Sequence, residues 1–93
     1  MDDNHGDIVD ALRHAGCSVT STAGLGGGFP DLCVGLMGRN VLFEVKDGAK
    51  VPSKRKLTKD EATWRAEWRG EVYTVETVAE ALAIVGDIRR GLR

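Results

Sequence analysis

Apolar and polar positions change period several times along this chain, and each change marks an element. Over residues 7–15, Ile8, Leu12 and Ala15 recur at helical spacing with Ala11 beside them, and Gly16 is a natural stop. Residues 17–22 (CSVTST) are short and β-prone, and residues 23–28 (AGLGGG) read as a flexible glycine loop. Pro30 restricts the backbone before a strand over residues 31–37; Gly38 and Arg39 offer a turn, and residues 41–46 return as a second strand. A basic loop over 48–57 leads to a helix over 58–69, opened by a Thr58–Glu61 capping box and closed by Gly70. Residues 71–75 (EVYTV) form a strand. Thr77 and Glu80 then open a last helix to about residue 85, with Val78, Leu82 and Val85 striping one face and Ala81 alongside. The predicted order is α-β-β-β-α-β-α, an α/β domain around a small mixed β-sheet flanked by helices.

The second strand breaks its own pattern. Val41, Leu42, Phe43 and Val45 are apolar on both faces, yet Glu44 and Lys46 stand at the end of the same run. Charges are rare in buried strands unless they are paired or bind something. With a two-residue type II′ turn beginning at Gly38, Asp31 faces Lys46 and Cys33 faces Glu44. Asp31, Glu44 and Lys46 then share one face, with directly opposite side chains roughly 5 Å apart at Cβ. A four-residue loop keeps this register, whereas a three-residue loop sends Asp31 to the other face. Two converging carboxylates repel each other, and a hard cation such as Mg²⁺ relieves that repulsion. Such a cation polarises a phosphoryl oxygen and acidifies a bound water, and a neighbouring lysine holds the water or stabilises developing charge. These are the parts of metal-assisted phosphodiester hydrolysis. The plainer reading is a salt bridge from Asp31 or Glu44 to Lys46 at a sheet edge. The Pro-Asp dipeptide, the apolar strand and the basic loop favour the metal site.

Composition narrows the class without naming the chemistry. The chain has 93 residues, 42% of them hydrophobic and 29% charged, as expected of one globular domain. A core this small gains from a partner subunit. The net charge of −1 gives no global attraction to nucleic acid, but Lys50, Lys54, Arg55, Lys56 and Lys59 cluster in one stretch and Arg89, Arg90 and Arg93 lie near the C-terminus. Asp2, Asp3, Asp7 and Asp10 make the N-terminus acidic. No apolar run is long enough for a membrane span and no signal peptide is visible, so a cytoplasmic protein is expected. Cys17 and Cys33 have no partner at zinc spacing, and nothing asks for a disulfide.

Pro30-Asp31 followed by Glu44-Val45-Lys46 resembles the PD-(D/E)XK nuclease signature. Together with GFPDLCVG, GRNVLFEVKDG, LTKDEATW and VYTVETVAEAL, it resembles the virus-type replication-repair nuclease (VRR-NUC) domain, especially its short stand-alone phage and prophage form. The resemblance runs over about residues 7–85 of a single domain, 1–93. It implies a restriction-endonuclease-like core and a Mg²⁺- or Mn²⁺-dependent cut in DNA. Asp31 and Glu44 match the metal-binding acids, the Val45 backbone carbonyl a further ligand, and Lys46 the catalytic lysine. The resemblance further implies that water attacks in line, leaving a 5′-phosphate and a 3′-hydroxyl. A homodimer acting on branched DNA such as a Holliday junction is implied by the same likeness. The alternative is a nuclease-fold DNA-binding module with weak or no activity, and a third reading is an interaction domain whose charged cluster is structural. Asp7 is the nearest match to an acid in the first helix, with Asp3 and Asp10 competing, and Asp7 also suits a first helical turn. Glu61 stands where the family often has glutamine, so it is an accessory candidate as well as a capping residue.

The remaining features are weighed the same way. The basic residues Lys50, Lys54, Arg55, Lys56 and Lys59 are either a solvated loop or contacts to the DNA backbone, with recognition of shape over sequence. Trp64 and Trp68 at i, i+4 suit core packing or a dimer contact better than base stacking. The AGLGGG loop is neither GxGxxG nor a P-loop; its glycines suit close approach of a phosphate or strand. His5 and His14 are assigned to the surface. Cys33 points into the site if the register holds, and otherwise is a small buried residue.

Overall fold

The two apolar surfaces foreseen in the strands are unequal, and that inequality organises the fold. A computed structural model describes residues 4–93. It contains helices α1 (His5–His14), α2 (Lys59–Glu67) and α3 (Val78–Arg89) and strands β1 (Ser18–Ser21), β2 (Leu32–Leu36), β3 (Arg39–Val45) and β4 (Val72–Val75). Short 3₁₀ turns cover Ala23–Leu25 and Pro52–Lys54, within the two stretches predicted as loops. The four strands form one mixed sheet in the order β1-β2-β3-β4. The first two pairs are antiparallel and β3–β4 is parallel, with α2 in the crossover between β3 and β4. This is the α/β order the sequence predicts.

One face of the sheet carries the core. Leu32, Val34 and Leu36 from β2 meet Val41, Phe43 and Val45 from β3, and Val75 from β4. Ile8 and Leu12 of α1 and Ala81, Ile84, Val85 and Ile88 of α3 pack against them. Each buried Val, Leu, Ile or Phe side chain contributes roughly 1.5–3 kcal/mol, so α1 and α3 are bound by hydrophobic burial. The stripe on α3 differs from expectation: Leu82 is 38% exposed, and Ile84 and Ile88 take the core side. The helix runs to Arg89, past the expected end at 85, which makes room for Ile88. His5 is also buried, not on the surface, because α1 starts two residues earlier than predicted and its first turn is covered.

The hairpin register differs from the predicted one in an informative way. Leu36 pairs with Arg39 across a two-residue turn at Met37-Gly38, and both turn residues have positive φ (50° and 74°). That is the type I′ arrangement, not type II′ starting at Gly38. Cys33 therefore faces Leu42, not Glu44, and continuing the ladder sets Asp31 opposite Glu44, not Lys46. The slip is two residues, an even number, so every side chain keeps its predicted face. Asp31, Glu44 and Lys46 lie on the side away from α1 and α3.

Candidate active site

The second face of the sheet is covered by α2, which contributes no buried residue. Its anchors are polar and aromatic. Thr58 caps the helix: its hydroxyl accepts from the Glu61 N–H at 3.2 Å, and the Glu61 carboxylate accepts from the Thr58 N–H at 2.8 Å. The capping box thereby fixes Glu61 at the helix start, pointing back toward the sheet. The same Glu61 oxygen accepts a hydrogen bond from Lys46 Nζ at 2.8 Å. Gly28, at φ +85°, lets the helix come this close. A Cβ there would stand 2.3 Å from the Asp60 carbonyl oxygen and 2.9 Å from the Glu61 nitrogen. The predicted use of the glycines for a phosphate or strand is thus replaced at Gly28 by the first turn of α2; a Cβ at Gly24, Gly26 or Gly27 meets only open space.

Around this junction the predicted charges converge. Glu44 is 2% exposed, and its Oε1 lies 3.8 Å from Lys46 Nζ. Asp31 is half-buried, and its Oδ2 accepts the Val45 N–H at 2.8 Å, which ties the aspartate at the start of β2 to the end of β3. Lys46 continues from β3 and is itself buried. Glu44 and Glu61 thus share one ammonium group, and Asp31 stands close enough to Glu44 to act on its charge. Burial, a hydrogen bond with Glu61 and the charge of Asp31 push the Glu44 carboxyl up to about 9. Burial also acts to raise Glu61, but its hydrogen bonds with Glu44, Lys46 and the Thr58 backbone hold it down at about 2. The two carboxyls divide the roles: Glu44 keeps a proton and Glu61 the negative charge. Counted as an ionised carboxylate, Glu44 leaves Oε2 buried with no donor. That oxygen needs either a proton of its own or a cation.

The other predicted residues are placed less centrally. Asp7 is exposed on α1, a helix that packs on the opposite face of the sheet, and Asp10 is exposed on the same helix. Asp3 lies outside the described residues. Lys54, Lys56 and Lys59 are exposed near the start of α2, and Lys50 is half-buried. Arg55 is held by Glu76 at 3.0 Å, so this member of the basic run is committed to the fold. Cys17 is buried and Cys33 half-buried, both as free thiols. Trp64 and Trp68 stack on each other, and Phe29 meets both edge-on.

Two residues near the site were not singled out from sequence. Asn4 donates from Nδ2 to the Lys46 carbonyl at 3.1 Å and to the Glu76 carbonyl at 2.8 Å, pinning the start of α1 to the end of β3. Its position just before a helix suggests an N-cap, and no local pattern signals so distant a partner. Asp47 is a buried acid beside Lys46, but its carboxylate accepts the Ala49 N–H at 2.9 Å and shapes the turn that follows.

Among the described residues, no three His, Cys, Asp or Glu side chains stand in a metal-holding group. A ligand set of two carboxylates and a backbone carbonyl is smaller than such a group. The orphaned Glu44 oxygen and the excess of carboxylates over ammonium groups fit a divalent cation held by Asp31, Glu44 and the Val45 carbonyl. No helix among the described residues is long and apolar enough to cross a membrane. Comparison with protein-family models, with curated proteins and with solved structures returned no match to this chain.

Proposed function

We propose that the chain is a Mg²⁺- or Mn²⁺-dependent DNA endonuclease with a restriction-endonuclease-like core, acting as a homodimer on branched DNA. The observation that carries this reading is the convergence of Asp31, Glu44 and Lys46 on one face of the β2–β3 hairpin, with a buried Glu44 oxygen that has no donor when the carboxyl is ionised. Asp31 and Glu44, with the Val45 carbonyl, would hold the cation. When bound, it polarises the phosphoryl oxygen and acidifies water. Asp31 is fixed for this by the Val45 N–H, and Glu44 by burial. Lys46, oriented by Glu61, directs its ammonium to the attacking water and to the negative charge that develops on the phosphate. The exposed Lys54, Lys56 and Lys59 bind the DNA backbone, which makes binding fall with salt.

The Lys46–Glu61 ion pair favours a second reading, a nuclease-fold DNA-binding module whose lysine is held for structure alone. The two are separated by incubating labelled linear duplex, single strand, splayed fork and four-way junction with Mg²⁺, Mn²⁺ or EDTA. The nuclease gives metal-dependent cutting with 5′-phosphate ends and paired nicks in the junction. Salt-sensitive binding without cutting of any substrate selects the binding module.

A further inference from the structure

The aromatic cluster on α2 is left over once the site is built. Trp64, Trp68 and Phe29 do not belong to the hydrophobic core, which lies on the other face of the sheet. The two indole rings are stacked, with centroids 4.6 Å apart and planes at 21°. Phe29 stands 5.2 Å from one and 6.0 Å from the other, steeply inclined to both. The three centroids form a triangle and not a line, so Phe29 abuts the flank of the stacked pair and does not cap it. Trp68 remains 44% exposed. A large flat ring is thus held rigidly, backed by a second ring, with its surface open to water.

We infer that Trp68, backed by Trp64 and Phe29, is a stacking platform for an unpaired nucleobase, so that the substrate carries a single-stranded or unstacked nucleotide near the cut. This deepens the nuclease reading and rests on it. Three observations select a nucleobase as the occupant. First, Glu61, Trp64 and Trp68 follow at i, i+3 and i+7, so the platform continues the helix face that carries Glu61 into the acid–lysine site. From Glu61 along α2 to Trp68, its C-cap, the chain rises about 10 Å, the length of roughly three stacked nucleotides. Second, the surroundings are cationic although the chain as a whole is not. Residues 48–69 hold seven Lys and Arg against three Asp and Glu, within a chain of net charge −1. Third, four of these seven cations are exposed while other cations of the chain are committed. Arg39, Arg55, Arg90 and Arg93 are tied to Glu71, Glu76 and Asp87, whereas Lys54, Lys56, Lys59 and Arg69 are exposed. An aromatic face flanked by cations that follow the phosphate backbone is the arrangement that binds single strands without reading sequence.

The chain has two tryptophans, and both are in the platform, so tryptophan fluorescence, excited apart from Tyr73, reports on it alone. The test titrates the full chain in EDTA, where nothing is cut, with oligo-dT and with a blunt duplex of mixed sequence. The expected result is quenching by oligo-dT. Trp68→Ala should weaken oligo-dT binding roughly tenfold, leave duplex binding unchanged, and be largely rescued by Trp68→Phe. Equal losses on both DNAs, or oligo-dT binding unchanged by Trp68→Ala, overturns the platform. So does a sedimentation result in which Trp68→Ala turns a dimer into a monomer with oligo-dT affinity intact, which makes the cluster a contact between copies. Metal-dependent cutting by a chain that fails this test leaves the nuclease reading standing; failure to bind or cut any DNA removes both.

Discussion

At the scale of single residues, the site is a contest over one proton. Glu44 is held as an acid because burial, Glu61 and Asp31 all oppose its ionisation. Its folded-state value of about 9 lies above the ordinary 4.5, so between these the native state binds more protons than the unfolded chain. The stability this group contributes is complete below 4.5 and is lost as pH rises through about 9. Glu61 has the opposite sign: its contribution is present above 4.5 and lost as pH falls toward about 2, outside that window. In EDTA, the melting temperature of the wild type should therefore fall more steeply across the window than that of Glu44→Gln, which cannot ionise. At the alkaline end the variant should melt higher, with each 1 kcal/mol worth about 4–8 °C for a domain of this size. Parallel melting curves for the two proteins would remove the protonated Glu44 from the account. The residues of this contest were legible in sequence. Pro30-Asp31, Glu44-Val45-Lys46 and the Glu61 of the capping box all stood out, because charge inside an apolar strand requires a reason. Asn4 and the burial of His5 were not legible, since both depend on a contact between chain segments far apart in sequence.

At the scale of elements, α2 is the least conventionally held part of the fold. The other two helices bury apolar stripes; this one is fixed by a cap, an ion pair, three aromatic rings and a close backbone approach at Gly28. Gly28→Ala should consequently push the first turn of α2 away, costing about 1–3 kcal/mol and reducing any cutting, because Glu61 would no longer orient Lys46. Gly24→Ala, where a side chain meets nothing, is the control and should change neither melting nor cutting. Equal effects of the two substitutions would show that loop flexibility, not the approach of α2, is what the glycines provide. The capping box announced this helix within a residue or two of its start, since a cap is a local interaction. The hairpin turn was harder. A type I′ turn at Met37-Gly38 places a methionine at positive φ, which local preference disfavours, and the buried pairing of Val34 with Val41 overrides it. Period-2 geometry preserved the site despite the error, as a slip of two residues exchanges partners but not faces. On α3 the expected stripe differs from the observed one because Leu82 and Ile84, two residues apart, point to different sides of the helix, and packing against the core selects Ile84.

At the scale of the whole molecule, size and charge bear on the substrate. The described chain measures 33 × 29 × 23 Å. Its long axis matches about ten base-pair steps at 3.4 Å each, so under the proposed function one copy would span about one turn of one duplex. Paired cuts in a branched substrate therefore require two copies, consistent with the proposed homodimer. Charge is divided in the same spirit: Asp31 and Glu44 sit at the β2–β3 hairpin and the exposed lysines at the start of α2, so the net value of −1 hides a basic margin beside an acidic site. The most direct measurement compares wild type with Asp31→Asn on a labelled four-way junction in Mg²⁺. Asparagine keeps an oxygen for the Val45 N–H, so the fold and DNA binding should persist while the anionic ligand is lost. Cutting should fall by about two orders of magnitude or more, with junction affinity in EDTA unchanged. An Asp31→Asn protein that cuts at the wild-type rate would contradict the site at its centre.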